Sequence, residues 1–117
     1  MIEIAIDIDN ALLKNPDRFT PLLNKVDPRY ILIASSRDLE TPEQVQLDGR
    51  YQQLLQVLPA GLVKNLMLAK GFNKEAIRIQ KGALCQEESV TILFDSEDMK
   101  GYIGSGETAP MLCEVVT

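Results

Sequence analysis

Ile2-Glu3-Ile4-Ala5-Ile6-Asp7-Ile8-Asp9-Asn10 is the stretch that decides the fold. Consecutive apolar residues at Ile4, Ala5 and Ile6 suit a strand covered on both faces, the pattern of a central strand in a parallel sheet. Asp7 and Asp9 fall at its carboxyl end, and open α/β sheets bind ligands in the crevice outside the carboxyl ends of their strands. While the strand lasts, an i, i+2 pair projects to one side, so the two carboxylates either repel or share a cation. An ordinary Asp/Asn turn closing a strand fits the same letters.

Outward from this stretch the chain alternates strand and helix. Asn15-Pro16 and Thr20-Pro21 are both N-cap plus first-position signals, and Phe19, Leu22, Leu23 and Val26 recur at helical spacing until Asp27-Pro28. Tyr30 to Ala34 reads as a second buried strand running into Ser35-Ser36-Arg37-Asp38. Thr41, Pro42 and Gln44 predict a capping box opening a helix whose apolar stripe is Leu47, Tyr51, Leu54, Leu55 and Leu58. Pro59-Ala60-Gly61 breaks it. A shorter helix from about Leu62 to Lys70 is expected to end at Gly71 as a left-handed cap. Ala76 to Gln80 reads as a third strand, Val90 to Phe94 as a fourth, and Met111 to Val116 as the last, after a link containing Gly101, Gly104 and Gly106. The alternation predicts an α/β, three-layer Rossmann-like fold with a mainly parallel five-stranded sheet flanked by helices, residues 1–117 forming one domain.

Composition narrows the function. The chain has 117 residues, a formal charge of -5 and no histidine. The acidic balance argues against a nucleic-acid partner, which needs a basic stripe. Without His, acid–base chemistry falls to carboxylates, Ser, Lys or Arg. Cys85 and Cys113 have neither CxxC nor zinc spacing and read as two reduced thiols, which suits a cytoplasmic protein. No membrane-length apolar run and no leader pattern is expected.

Strand ends gather the chemistry. Asp7 and Asp9 follow the first strand, Ser35 the second, and Asp95 and Asp98 the fourth. Carboxylates from two strands are oxygen ligands suited to Mg2+, which binds through one or two of them plus a substrate phosphate. With Lys81 adding positive charge, one Asp could attack phosphorus while the other handles the leaving-group proton. Blander roles fit too: Ser35 in a turn, Lys81 on the surface, and Asp95 to Asp98 as the acidic first turn of a short helix. The glycine-rich link matches neither GxGxxG nor GxxxxGK(S/T) and is not a phosphate loop.

This order of features resembles the haloacid dehalogenase (HAD) superfamily of phosphohydrolases across essentially the whole chain. Ile4-Ala5-Ile6-Asp7-Ile8-Asp9-Asn10-Ala11 is similar to its first motif, DxDx(T/V), through both acids. Ile31-Leu32-Ile33-Ala34-Ser35-Ser36-Arg37 resembles the second, and Ile92-Leu93-Phe94-Asp95-Ser96-Glu97-Asp98 the fourth. The third is a lysine, for which Lys81, just after the expected third strand, is the first choice and Lys74 the second. The resemblance implies Asp7 as nucleophile, Asp9 as acid/base, Ser35 and Lys81 on phosphate, and Asp7, Asp9, Asp95 and Asp98 towards Mg2+. Ala11, Ser36 and Ser96 depart from the family pattern. The loops after the first two strands are too short for a cap domain, so a capless member with an open site is implied. That suits a phosphorylated small molecule, a macromolecular phosphate ester, or a protein partner or second copy covering the site.

Two other functions are open. A HAD-like domain without turnover would bind a partner or a phosphorylated ligand. A PIN-like metal nuclease also begins with a strand ending in Asp, but this acidic chain offers no basic groove. A receiver domain would need an Asp after the third strand, and Arg78 to Gly82 supplies none.

Overall fold

In the computed structural model, which describes residues 3–25, 30–58 and 65–115, β1 (Ile4–Asp7), β2 (Tyr30–Ser36), β3 (Leu66–Lys70), β4 (Ile92–Asp95) and β5 (Met111–Glu114) form one sheet. The order is β3-β2-β1-β4-β5 and every pairing is parallel. The chain builds outward from β1 through β2 and β3, then returns to add β4 and β5 on the other side. That reversal opens a crevice between β1 and β4 at their carboxyl ends, the position where doubly wound sheets bind ligands.

Side-chain alternation along the strands feeds two cores. Ile6, Tyr30, Leu32 and Ala34 pack on one face against Phe19 and Leu23 of α1 (Pro16–Lys25), Val45 of α2 (Pro42–Leu47) and Tyr51 and Leu55 of α3 (Gly49–Gln56). Ala5, Ile31, Ile33, Ala69 and Leu93 pack on the other against Ile77, Leu84 and Cys85 of α4 (Lys74–Glu87). Helices therefore cover both faces of a five-stranded parallel sheet, which explains why β1 and β2 read as unbroken apolar runs.

Several expectations change. Leu66–Lys70 is a strand paired with β2, from Leu32↔Leu66 to Ser36↔Lys70, and not the end of a helix. A four-residue apolar run is compatible with either period, and only the pairing decides. Residues 62–64 of that expected helix, with Pro59-Ala60-Gly61, lie outside the described residues. Gly71 has no left-handed backbone; it is small because an added Cβ would come within 2.7 Å of the Ile77 backbone nitrogen. Ala76 to Gln80 is helix, inside α4, whose first turn is capped by the Asn73 side chain accepting from the Ala76 N–H at 2.8 Å. Ile77 and Ile79 imitate strand alternation there, but Ile77, Lys81 and Cys85 share a helical face turned to the sheet.

The helix expected from Thr41 to Leu58 is two helices broken at Asp48, whose carboxylate accepts from the Arg50 N–H and starts α3 afresh. The break leaves Leu47 77% exposed, and Val45 takes the buried place expected of it. Thr41 does cap Gln44, while the Gln44 side chain accepts from Glu40 and not from Thr41. The first helix starts at Pro16 and continues through Pro21; Val26 and Asp27-Pro28 lie outside the described residues, as does Val116 beyond β5. Among the described residues no helix is long and apolar enough to cross a membrane.

Gly82 fixes how closely α4 approaches its neighbour: a Cβ there would lie 2.1 Å from the Tyr102 carbonyl oxygen. Gly82→Ala is expected to destabilise by about 1–3 kcal/mol through overpacking. Gly49→Ala, where nothing lies within 4 Å, should be neutral or stabilising by up to about 1 kcal/mol. Urea denaturation of both variants checks the contrast.

Candidate functional site

β1 and β4 are neighbours in register, Ile6 beside Phe94, so the next residues, Asp7 and Asp95, end their strands side by side. Two carboxylates so placed need a cation. Lys81 supplies it from the buried face of α4, its Nζ 2.8 Å from Asp7 Oδ1 and 2.8 Å from Asp95 Oδ2. All three side chains are buried. One positive charge cannot compensate two negative ones, and the balance shows in their acidities. Burial pushes the Asp7 carboxyl up to about 6; Lys81 opposes the rise and Asp95 adds to it. Burial pulls the Lys81 ammonium down, but Asp7 and Asp95 outweigh it and hold its pKa above the ordinary lysine value. Cys85, one turn further along α4, has its thiol pushed up to about 11 by burial and then by the Asp95 charge.

Neutral donors complete the pair. Residues Ile8–Leu12 form a π-helical turn, closed by Leu13 N–H donating to Ile8 O at 2.8 Å and held to the core by Ile8, Ala11 and Leu12. Such wide turns are frequent at functional sites. Here the turn directs Asn10 to both acids: its backbone N–H donates to Asp7 Oδ2 at 2.6 Å and its side-chain amide to Asp95 Oδ1 at 3.0 Å. Asp95 Oδ1 also accepts from the Ser96 N–H at 2.7 Å, and the Ser35 hydroxyl lies 3.5 Å from Asp7 Oδ1.

The same turn takes Asp9 off the strand, so the expected same-side pairing of Asp7 and Asp9 does not occur. Asp9 faces β2 and α3 instead. It accepts from the Ser35 N–H at 3.2 Å and from the Tyr51 hydroxyl, 3.0 Å from each carboxylate oxygen, with Arg50 at 4.0 Å. Tyr51 is fully buried, and burial followed by the Asp9 charge raises its pKa well above that of an ordinary phenol. Ser35, in the last part of β2 and not beyond it, is the residue common to both networks.

Above these groups lies a cavity of about 300 Å³ whose wall includes Asp9, Asn10, Ser35, Lys81, Asp95 and Ser96, with Arg50, Lys74, Arg78 and Asp98 around them. Asp7 lies beneath the wall, fully buried. Lys81, expected just after a strand and on the phosphate, instead lies within α4 and reaches Asp7 and Asp95 from there. Lys74 lies at the start of the same helix, exposed and lining the cavity. Asp98, in a 3-10 turn (Glu97–Met99), is exposed and pairs with Arg78 at 3.4 Å. The four acids expected around Mg2+ thus separate into a buried pair, a Tyr51-bound Asp9 and a rim Asp98. Among the described residues no group of three or more His, Cys, Asp or Glu side chains is poised to hold a metal ion. What the site offers a hard cation is two adjacent carboxylates, Asp7 and Asp95, and the buried Ser96 hydroxyl, which has no hydrogen-bond partner. Two carboxylates and a hydroxyl are too few ligands for a cage made by protein alone.

Reasoning from sequence missed Tyr51, Asn10, Arg50 and Arg78. Tyr51 was read as part of an apolar stripe, which its ring is; only the fold brings its hydroxyl to Asp9. No family model matches the chain, and no curated protein is significantly similar to it.

Replacing Lys81 by Met leaves two buried acids without a cation and should cost about 3–5 kcal/mol. The Asp7 pKa is higher in the folded protein than the ordinary 3.8. Its contribution to stability is therefore full below that value and is lost as pH rises through about 6. Asp7→Asn should flatten the decline in unfolding free energy between pH 4 and pH 7. Urea denaturation across that range tests it, and an unchanged slope would assign the titration to another group.

Proposed function

We propose that the protein is a Mg2+-dependent phosphohydrolase of the HAD type, acting on a phosphate monoester through a phosphoaspartyl intermediate. The observation that carries this reading is Lys81 bound to both Asp7 and Asp95 at the crevice between β1 and β4. A resemblance of motifs implied those three residues, and their contact is what a site for a phosphoryl group requires: a nucleophile, a fixed cation and a second carboxylate for a metal ion.

In this reading the phosphoryl group sits over Ser35, Asn10 and Lys81, displacing the Ser35 hydroxyl from its 3.5 Å contact with Asp7, the longest that this carboxylate makes. An Asp7 oxygen attacks phosphorus and the bond to the ester oxygen breaks. Asp9 gives that oxygen its proton. Water then attacks the phosphoaspartate, Asp9 takes the water proton, and Asp7 is regenerated as phosphate leaves. Lys81 keeps its charge throughout and stabilises the charge developing on the phosphoryl oxygens. Asp7 and Asp95 would hold Mg2+, which would supply further neutralisation of the phosphate.

A second reading, a HAD-like domain that binds a phosphorylated ligand without turnover, is favoured by one observation: Asp7 is fully buried and does not reach the cavity wall. Hydrolysis of p-nitrophenyl phosphate with and without Mg2+ separates the two. Activity that needs Mg2+ and falls to background in Asp7→Asn is expected. Equal rates in wild type and Asp7→Asn would remove Asp7 as the nucleophile, and phosphate binding with no hydrolysis would establish the second reading.

Tyr51 should act as a positioning residue for Asp9. Tyr51→Phe removes the hydroxyl while keeping the ring in the core, so kcat should drop on the order of 10- to 100-fold with KM little changed. Its pH–rate profile should also shift, which a purely structural loss would not produce. Steady-state kinetics over pH 5 to 9 measures both.

A further inference from the structure

One face of α4 lines the cavity: Lys74, Ile77, Arg78 and Lys81, at i, i+3, i+4 and i+7. Seven residues of helix span about 10 Å, and along that length the cations change in burial and in pairing. Lys81, at the floor, is buried and balanced by two carboxylates. Arg78, half-buried, leans over the Tyr102 ring and, among the described residues, pairs with the exposed Asp98 alone, at 3.4 Å. Lys74, at the rim, forms no ion pair among the described residues. The cavity wall carries four cations against three carboxylates, in a chain whose formal charge is -5. Asp7, beneath the wall and paired with Lys81, leaves the floor negative overall, so the positive charge available to a ligand lies at the rim, on Lys74 and on Arg78 beside one exposed carboxylate. Ile77 lies between the rim and floor cations, an apolar spacer in a charged stripe.

We propose that the substrate is a small phosphate monoester bearing a second anionic group, phosphate or carboxylate, which Lys74 and Arg78 hold while the first phosphate sits over Lys81. This rests on the phosphate reading of the Lys81 site given above. Its size follows from the cavity: about 300 Å³ is at the small end for ligand pockets. A polynucleotide would carry the same charges but would meet the repulsion of an acidic chain. The apolar stretch at Ile77 fits a short carbon linker between the two anions.

Propane-1,3-bisphosphonate and propylphosphonate, both inert to hydrolysis, differ only in the second anion. Their affinities in the presence of Mg2+ are to be measured by titration calorimetry on wild type, Lys74→Ala and Arg78→Ala. The bisphosphonate is expected to bind wild type on the order of tenfold more tightly, the scale of one charge-assisted contact. Either substitution should reduce that advantage without changing propylphosphonate affinity, which also reports that the variants are folded. Equal affinities in wild type, or an advantage that survives both substitutions, overturns the inference and leaves the phosphatase reading standing. If neither phosphonate binds wild type, the phosphate site over Lys81 is wrong and the inference falls with it.

Discussion

One ammonium group between two buried carboxylates sets the geometry of this molecule. Asp7 and Asp95 end adjacent strands, and water cannot relieve their repulsion because both are buried. Lys81 must reach them, which fixes the depth and rotation of α4 against the sheet. Gly82 makes that depth possible by letting the helix backbone meet the Tyr102 carbonyl without an intervening side chain. A buried ion pair of this kind is weak evidence for stability, since hydrophobic residues of equal volume often serve as well. Its retention with an uncompensated negative charge is better understood as a feature of the site than of the fold.

The π-helical turn after β1 gives Asp7 and Asp9 separate partners. Had the strand continued, Asp7 and Asp9 would project together and compete for one cation. The wider turn instead gives each acid its own surroundings: Asp7 a charged, enclosed one, and Asp9 a phenol, a backbone N–H and the open side of the cavity. Two carboxylates one residue apart are thereby placed in environments that differ in burial and partner charge, the condition under which like groups take unlike chemical roles. Ser35 touches both and keeps their separation fixed.

The legible part of the sequence was the part whose physics is local or uniform. β1, β2 and β4 were readable because strands covered on both faces need continuous apolar letters, and Thr41-Pro42 because a cap is a local device. The two misassigned elements share one cause. Leu66-Met67-Leu68-Ala69 and Ala76-Ile77-Arg78-Ile79-Gln80 are short runs whose periodicity suits either state, and each was assigned the wrong one; partners distant in sequence decide between them. Lys81 could be chosen only by resemblance, since nothing near it in sequence says that a lysine is buried. Tyr51 was hidden by its own duality, an apolar ring that fills the core and a hydroxyl that donates to Asp9.

Cys85 gives the chain a built-in clock. Its thiol lies one turn from Lys81 on the same buried face, and the surroundings that raise its pKa keep it out of the reactive thiolate form. Cys113, on the exposed edge strand, is free of that enclosure. A thiol reagent added to the native protein therefore meets one cysteine at once and the other only when the buried face of α4 is exposed. The ratio of the two modification rates reads how often the buried face of α4 becomes accessible, and its comparison with the unfolding rate in urea tells local opening from global unfolding. Any ligand that bridges the floor of the cavity to α4 should slow the second rate alone.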